Sequence, residues 1–360
     1  MAIKAKELAK KIGVSEATLS LVLNHKEGIS QKTREKVTEQ IMRMGYGYMF
    51  KNAAKMQGKS DKNILEAGTA SAIEEKGYIG FVIYTDTGLF MENTPFFPLI
   101  IDGMDAMARN YSYRLLVINI KREMELQTKL GYIRESGCSG YIIYAPELPE
   151  DEVDALLGMP IPFVLLDKYF PGKNIDAVTL NNEQGIYIIL QMLVGLGHKR
   201  IGYLGSGVDL QSFAERKDSY QRIMNRLGLP VEKEFFVDVG YPEPEAVNGV
   251  EALLRKHENL PTAFVTDNDC VAYGAIKALM NEGYSVPGDV SVVGFSDRPV
   301  CMYVVPNITT VRIPRARFGG EAVDLLIRKL LKNPYNDECN IKTEVSFELV
   351  MRDSAGPVSR

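Results

Sequence analysis

Hydrophobic positions keep a helical spacing for the first 45 residues and then change rhythm. In Lys4–Gly45, Ala5, Leu8, Ala9 and Ile12 recur three and four residues apart, Gly13 breaks the run, and Ser15 stands where a helix N-cap belongs. Leu19, Val22 and Leu23 then share an inward face, with Val14 plugging the turn. That leaves Glu16, Ala17, Ser20 and Leu21 on the outer face. Ser30 caps a third predicted helix, in which Val37, Ile41 and Met44 share one side. A three-helix module of this kind can lay its second helix in the major groove, roughly 12 Å wide. A small helical bundle of no special function is the alternative.

After Gly45 the pattern weakens, and Gly58 to Gly77 reads as a polar connector. From Tyr78 onward, short apolar runs alternate with amphipathic stretches. YIGFVIY, Tyr113 to Ile120, GYIIYA, PFVLLD, RIGYLG, Phe235 to Val239, TAFVTD and VSVVGF are predicted strands. Between them, Phe97 to Asn110, Met124 to Ser136, Glu183 to Leu196, Asp218 to Leu227, Pro244 to Lys256 and Val271 to Gly283 are predicted helices. Such alternation implies parallel sheets with helices on both faces. The expected fold is an all-α head followed by two doubly wound α/β lobes, with ligands at strand carboxyl ends in the cleft between them.

Charge divides the chain at the same place. Residues 1–62 hold 13 Lys+Arg against 6 Asp+Glu, and the remainder 29 against 40, within an overall net charge of −4. A basic head on an acidic body is the electrostatic footprint of a DNA-binding arm. The start of the chain carries no apolar signal region and no run is long enough to span a membrane, so a cytoplasmic protein is expected. The four cysteines are scattered without CxxC spacing, and read as free thiols. The three histidines, His25, His198 and His257, are dispersed. With no Gly-x-Ser-x-Gly, Walker or dinucleotide loop, no metal, cofactor or catalytic residue is expected. His198, just before a strand, reads as a packing residue.

IGVSEATLSLVLN, ISQKTREKV and MGYGY, followed by LVGLGHKRIGYLGS, TAFVTDNDCVAYGAIKALMNEGYSVPGDVSVVGFSD and PNITTVRIP, resemble the LacI/GalR transcription regulators in order over more than 300 residues. The resemblance implies a core like that of periplasmic sugar-binding proteins. Its domains would be a head at 1–57, a linker at 58–77 and a core at 78–360. The first lobe would hold 78–177 and 300–333, and the second 178–299 and 334–360. It also implies a homodimer on a pseudo-palindromic operator, more often a repressor, controlled by a small molecule, with a sugar favoured. The chain departs from the family after Gly-Tyr: Gly47, Tyr48 and Met49 replace Arg-Pro-Asn, and no leucine stands where the hinge helix would wedge the minor groove. A degenerate hinge is therefore expected. The alternative function is a cytoplasmic sugar-binding protein with weak or partner-dependent DNA binding.

For DNA, Ala17 and Ser20 match base-contacting positions of the family, with Glu16 beside them. Leu21 replaces the usual arginine, so apolar contact replaces guanine reading at one step. Thr18, Asn24, Ser30, Lys32 and Thr33 are candidate phosphate contacts, or caps and solvated charge. For the effector, Asn268 and Asp269 follow a buried strand and offer donors and acceptors to paired hydroxyls, or else cap the next helix. Arg216 occupies the arginine of the family's R-x-x-G-Y, with Ser219 in place of glycine; a guanidinium holds two oxygens, or pairs with Glu215 or Asp218. Asp167 and Asp297 are further strand-end carboxylates. Phe96 and Tyr169 are candidate aromatic faces for a sugar ring, ahead of Phe97.

Overall fold

The computed structural model describes residues 9, 12–23, 28–30, 33, 37, 75–85, 96–121, 123–331 and 339–358. The hinge region at 46–56, most of the connector, and Asn24 and Lys32 lie outside the described residues. The chain divides into two compact units, Met1–Ile73 and Glu74–Arg360.

In the first unit, helix α1 (Glu16–Leu23) is set by its caps and its core. Ser15 Oγ accepts from the Thr18 N–H at 3.0 Å, and Ser30 Oγ from the Thr33 N–H at 3.2 Å. Each serine hydroxyl also meets its threonine hydroxyl at 2.8 Å. Gly13, at φ +76°, makes the left-handed turn that a side chain would strain. Ala9, Ile12, Leu19, Val22, Leu23 and Val37 form the core.

In the second unit, a six-stranded sheet has the order β11-β5-β4-β3-β1-β2, all pairs parallel. Its strands are β1 (Gly77–Thr85), β2 (Tyr113–Lys121), β3 (Gly140–Tyr144), β4 (Phe163–Leu166), β5 (Asp176–Leu180) and β11 (Lys342–Val345). Side chains alternate between its faces. Ile79, Phe81 and Ile83 meet α2 (Phe96–Asn110) and α9 (Arg315–Leu330), while Val82 and Tyr84 meet α3 (Leu126–Glu135) and α4 (Glu150–Leu157). Helices α2 and α9 cross so closely that a Cβ at Gly103 would fall 1.9 Å from the Ala316 carbonyl oxygen.

The second lobe is a four-stranded parallel sheet of order β7-β6-β8-β9, formed by β6 (Ile201–Gly205), β7 (Phe236–Asp238), β8 (Ala263–Thr266) and β9 (Ser291–Val293). Helices α5 (Asn182–Gly195) and α6 (Gln211–Arg226) cover one face, and α7 (Glu243–Leu254) and α8 (Asp269–Asn281) the other. Strands β10 (Thr310–Arg312) and β12 (Glu348–Val350) add an antiparallel ribbon.

The chain crosses between lobes three times: after Leu180, after Arg312 and after Val345. Two expected boundaries therefore move. The return at about 300 comes after β10, and residues 342–345, expected in the second lobe, pair with β5 in the first. The shift follows from α9, which spans 315–330 on the first sheet and delivers the chain to that sheet's free edge. His198 has the packing role expected: it is 2% exposed, with Nδ1 at 2.9 Å from Thr262 Oγ1 and Nε2 at 2.9 Å from the Gly356 carbonyl oxygen. Cys138, Cys270, Cys301 and Cys339 are free thiols.

Candidate functional site

A cavity of about 60 Å³ lies between the lobes, at the carboxyl ends of both sheets. The first lobe contributes Tyr84, Phe97, Tyr144, Glu147, Asp167 and Leu180; the second contributes Ser212, Phe213, Arg216, Asn268, Ser296 and Arg298. Parallel strands end together on one side of a sheet, so loops after β1, β3, β4, β8 and β9 meet here although they are far apart in sequence. Asp167 (φ 69°), Ser296 (φ 114°) and Asp297 (φ 55°) all take left-handed backbone at these strand ends. Side chains avoid that conformation unless the surroundings impose it.

Arg216 projects from α6 and is 3% exposed. Its guanidinium carbon is 3.9 Å from the centroid of the Phe295 ring and 5.1 Å from that of Phe213. Nε donates to Asn182 Oδ1 at 2.9 Å, and Nη1 to the Asp267 carbonyl oxygen at 2.6 Å. Asn182 in turn donates to Glu215 at 2.7 Å, so the arginine is tied to the first turn of α5, just past a lobe crossing. Burial pulls the Arg216 pKa down, while Asp167 and Asp267 pull it up. The surface ion pairs open to Arg216 in the sequence do not form.

The acidic residues separate by role. Asn268 Oδ1 accepts from the Cys270 and Val271 N–H groups at 2.9 and 3.1 Å, capping α8, while the residue still lines the cavity. Both sequence readings of Asn268 are compatible with that position. Asp269 does not line the cavity. It is 0% exposed, accepting from the Arg298 N–H and from Thr310 Oγ1, each at 2.7 Å. Asp297 accepts from Arg352 Nη2 at 2.6 Å and Arg312 Nε at 2.7 Å, joining three segments beside the crossing. Tyr169 also falls outside the cavity: it lines a second opening with Asn182 and Glu215, under the Lys342 ammonium, 3.5 Å from its ring centroid. The Phe97 ring stands in the wall, edge-on to Tyr144 with centroids 5.0 Å apart. The Phe96 side chain lies outside the described residues.

Asp167 faces the cavity. Burial pushes its carboxyl up to about 7; Arg216 opposes that shift and Glu215 adds to it. Tyr144 Oη donates to it at 3.5 Å, the limit of a hydrogen bond. Burial likewise pushes Asp267 up to about 6, although Ser206 donates to it twice at 2.6 Å and Asn268 once at 2.7 Å. Sequence reasoning missed Tyr84, Tyr144, Phe213, Asp267 and Arg298. Three of these had a readable signal: Tyr84 and Tyr144 lie at the ends of predicted strands, and Phe213 precedes Arg216 by three residues on one helical face.

On α1, Glu16, Ala17 and Ser20 are exposed and Thr18 and Leu21 half-buried; Ser30 and Thr33 are exposed at the next cap. A Cβ at Gly28 would lie 3.5 Å from Leu21 Cδ1, so Leu21 leans on the following loop as well as facing outward. Among the described residues no cluster of His, Cys, Asp and Glu suits a metal, and no helix is long and apolar enough to cross a membrane.

Comparison with known proteins agrees with this division. Residues 4–47 match the family model for bacterial regulatory proteins of the lacI family, and residues 190–355 that for a periplasmic binding protein-like domain. The HTH-type transcriptional repressor PurR of Actinobacillus pleuropneumoniae is 27% identical over 352 residues, 97% of each chain. The lac repressor dimer bound to operator and the anti-inducer ONPF is 22% identical with a TM-score of 0.66, covering 99% of this chain and 100% of its own. A LacI family regulator of Enterococcus faecium with bound ribose is 21% identical with a TM-score of 0.64, covering 78% of this chain and all of its own. The chain thus carries a lacI-family helix-turn-helix domain followed by a periplasmic binding protein-like domain, and over nearly its full length it is similar to bacterial transcription regulators.

Proposed function

We propose that this protein is a homodimeric, cytoplasmic transcriptional repressor whose operator affinity is set by a sugar-like effector bound between the lobes. The observation that carries the reading is Arg216, buried between two rings in a cleft fed by the strand ends of both lobes. The names of the relatives add support: one is a repressor, one holds an operator as a dimer, and one holds ribose.

In this reading Glu16, Ala17, Ser20 and Leu21 meet base edges, and Thr18, Asn24, Ser30, Lys32 and Thr33 hold phosphates in register. Arg216, Asn268, Asp167 and Ser212 bind effector hydroxyls against the rings of Phe97 and Tyr144; Asp269 and Asp297 fix the backbone behind them. A cavity of about 60 Å³ is under half the roughly 150 Å³ that admits benzene. A pyranose therefore enters only when the lobes part, and an effector that prefers one degree of closure shifts that equilibrium. The three crossings are where such motion hinges.

The test is selection of genomic DNA by the full-length protein, sequenced with and without a pool of neutral and acidic sugars. One enriched pseudo-palindrome whose recovery changes with the pool is expected. Equal recovery of unrelated fragments in both conditions would leave the alternative, a sugar-binding protein with weak or partner-dependent DNA binding.

A further inference from the structure

The cleft contains two buried cations that its own acids do not pair. Arg216 and Arg298 line the same cavity, 3% and 8% exposed, from α6 and from the loop after β9. Buried charges are ordinarily paired, because an isolated one loses its hydration without replacement. The neighbouring Arg312 and Arg352, more exposed than either, are nevertheless paired, sharing Asp297 at 2.7 and 2.6 Å. Among the described residues, neither Arg216 nor Arg298 has a carboxylate oxygen within salt-bridge distance.

Their partners are neutral instead. Arg216 donates to an amide oxygen and a peptide carbonyl. The Arg298 side chain donates from Nη1 to Cys270 Sγ at 3.3 Å and bonds Tyr241; sulfur is a weak acceptor. Its link to Asp269 runs through the backbone N–H, not the guanidinium. The nearby acids are committed elsewhere: Asp267 to Ser206 and Asn268, and Asp269 to Thr310 and the Arg298 backbone. Glu147 and Asp167 stand on the opposite wall, in the first lobe, and burial holds Asp167 only partly ionised near neutrality.

We propose that the effector is itself an anion: a sugar or polyol bearing a carboxylate or a phosphate, whose acidic group is bound by Arg216 and Arg298. The proposal rests on the cleft being the effector site. Guanidinium groups are suited to the task because their planar donors match carboxylate and phosphate oxygens. The aromatic wall of Phe97 and Tyr144 takes the ring's carbon face, and Asp167 and Glu147 suit its hydroxyls.

Calorimetric titration of the full-length protein tests it, with glucose, galactose and ribose against glucuronate, galacturonate, gluconate, glucose 6-phosphate and ribose 5-phosphate, and with inorganic phosphate alone. At least one acid is expected to bind about tenfold or more tightly than its neutral parent. Uronates winning over sugar phosphates assigns a carboxylate; the reverse assigns a phosphate. Arg298→Met should remove the acid preference and Arg298→Lys retain part of it. Both keep the backbone N–H that holds Asp269, and circular dichroism and thermal melting check that they fold. Neutral parents binding as tightly as every acid, silence from the whole acid series, or an acid preference unchanged in Arg298→Met would overturn the proposal. Operator affinity measured in the same samples separates the two ideas. A response to a neutral sugar keeps the cleft as effector site and removes only the anion; an acid that binds without moving operator affinity removes the regulatory reading itself.

Discussion

The first lobe lines the cleft with rings, Tyr84, Phe97 and Tyr144, and with an aspartate whose charge is adjustable; the second lines it with polar groups already held by hydrogen bonds. Arg216, Asn182, Asp267, Ser206 and Asn268 form one connected chain of donors and acceptors within the second lobe. Across the gap, Asp167 has a single long bond from Tyr144. A fixed polar wall selects a ligand without reorganising, whereas a wall of rings with a carboxyl of raised pKa adapts as the lobes close. If the cleft is the effector site, as proposed, the contrast places specificity in the second lobe and the tuning of closure in the first.

The largest effect that sharpens this contrast is at Arg216. Arg216→Met orphans Asn182 Oδ1 and the Asp267 carbonyl, each worth about 1–3 kcal/mol when left buried without a donor. Effector affinity should fall by about a hundredfold or more, in titration calorimetry, with a lower melting temperature. Retained affinity would move specificity out of the second lobe.

Asp269→Asn comes next. One of its partners, such as the Arg298 N–H or Thr310 Oγ1, loses its carboxylate acceptor, so a loss of about 1–3 kcal/mol in urea unfolding is expected. Effector affinity should change less than in Arg216→Met. The opposite ranking would show that Asp269 turns toward the ligand when the cleft opens.

How far the sequence carries is visible in these two residues. The head was readable because a helix N-cap is local: Ser15 and Ser30 reach donors three residues on, and their spacing states as much. The alternation of strands and helices was readable for the same reason. Not readable was which of three adjacent polar residues, Asp267, Asn268 and Asp269, faces the cavity. Their orientation depends on Ser206, Arg298 and Thr310, which the chain brings in from elsewhere. Arg298 was hidden likewise: the strand end pointed to its neighbour Asp297, which Arg312 and Arg352 from distant segments hold instead. Helix α9 was not predicted; its Gly319 serves the close crossing with α2, where a Cβ would fall 2.3 Å from the Ile100 carbonyl oxygen, a partner more than 200 residues away in sequence.

A smaller effect probes the first lobe's tunable charge. Asp167 titrates near 7 and Asp267 near 6 in the folded protein, above the ordinary carboxylate value near 4. The folded state therefore binds more protons than the unfolded one between those values. Stability from these groups is full below about pH 4 and is lost as pH rises through about 6 to 7. In Asp167→Asn, the urea midpoint should fall less than wild type between pH 5 and pH 8. Parallel pH profiles would break the assignment of a raised carboxyl to the first lobe.

The smallest effect lies on α1. Leu21→Arg should shift operator preference toward guanine at one symmetric position by about 1–3 kcal/mol, read by DNA selection. Because Leu21 also leans toward Gly28, overall stability should change by less than that.

The central claim is that the cleft and the DNA-reading helix are thermodynamically coupled, and fluorescence anisotropy of a selected operator measures it directly. Full-length protein is titrated onto labelled operator at zero and saturating effector, and effector is titrated onto free and operator-bound protein. The account predicts that the effector changes operator affinity by about 5- to 150-fold, and that operator changes effector affinity by the same factor. Identical operator binding curves at zero and saturating effector would contradict it.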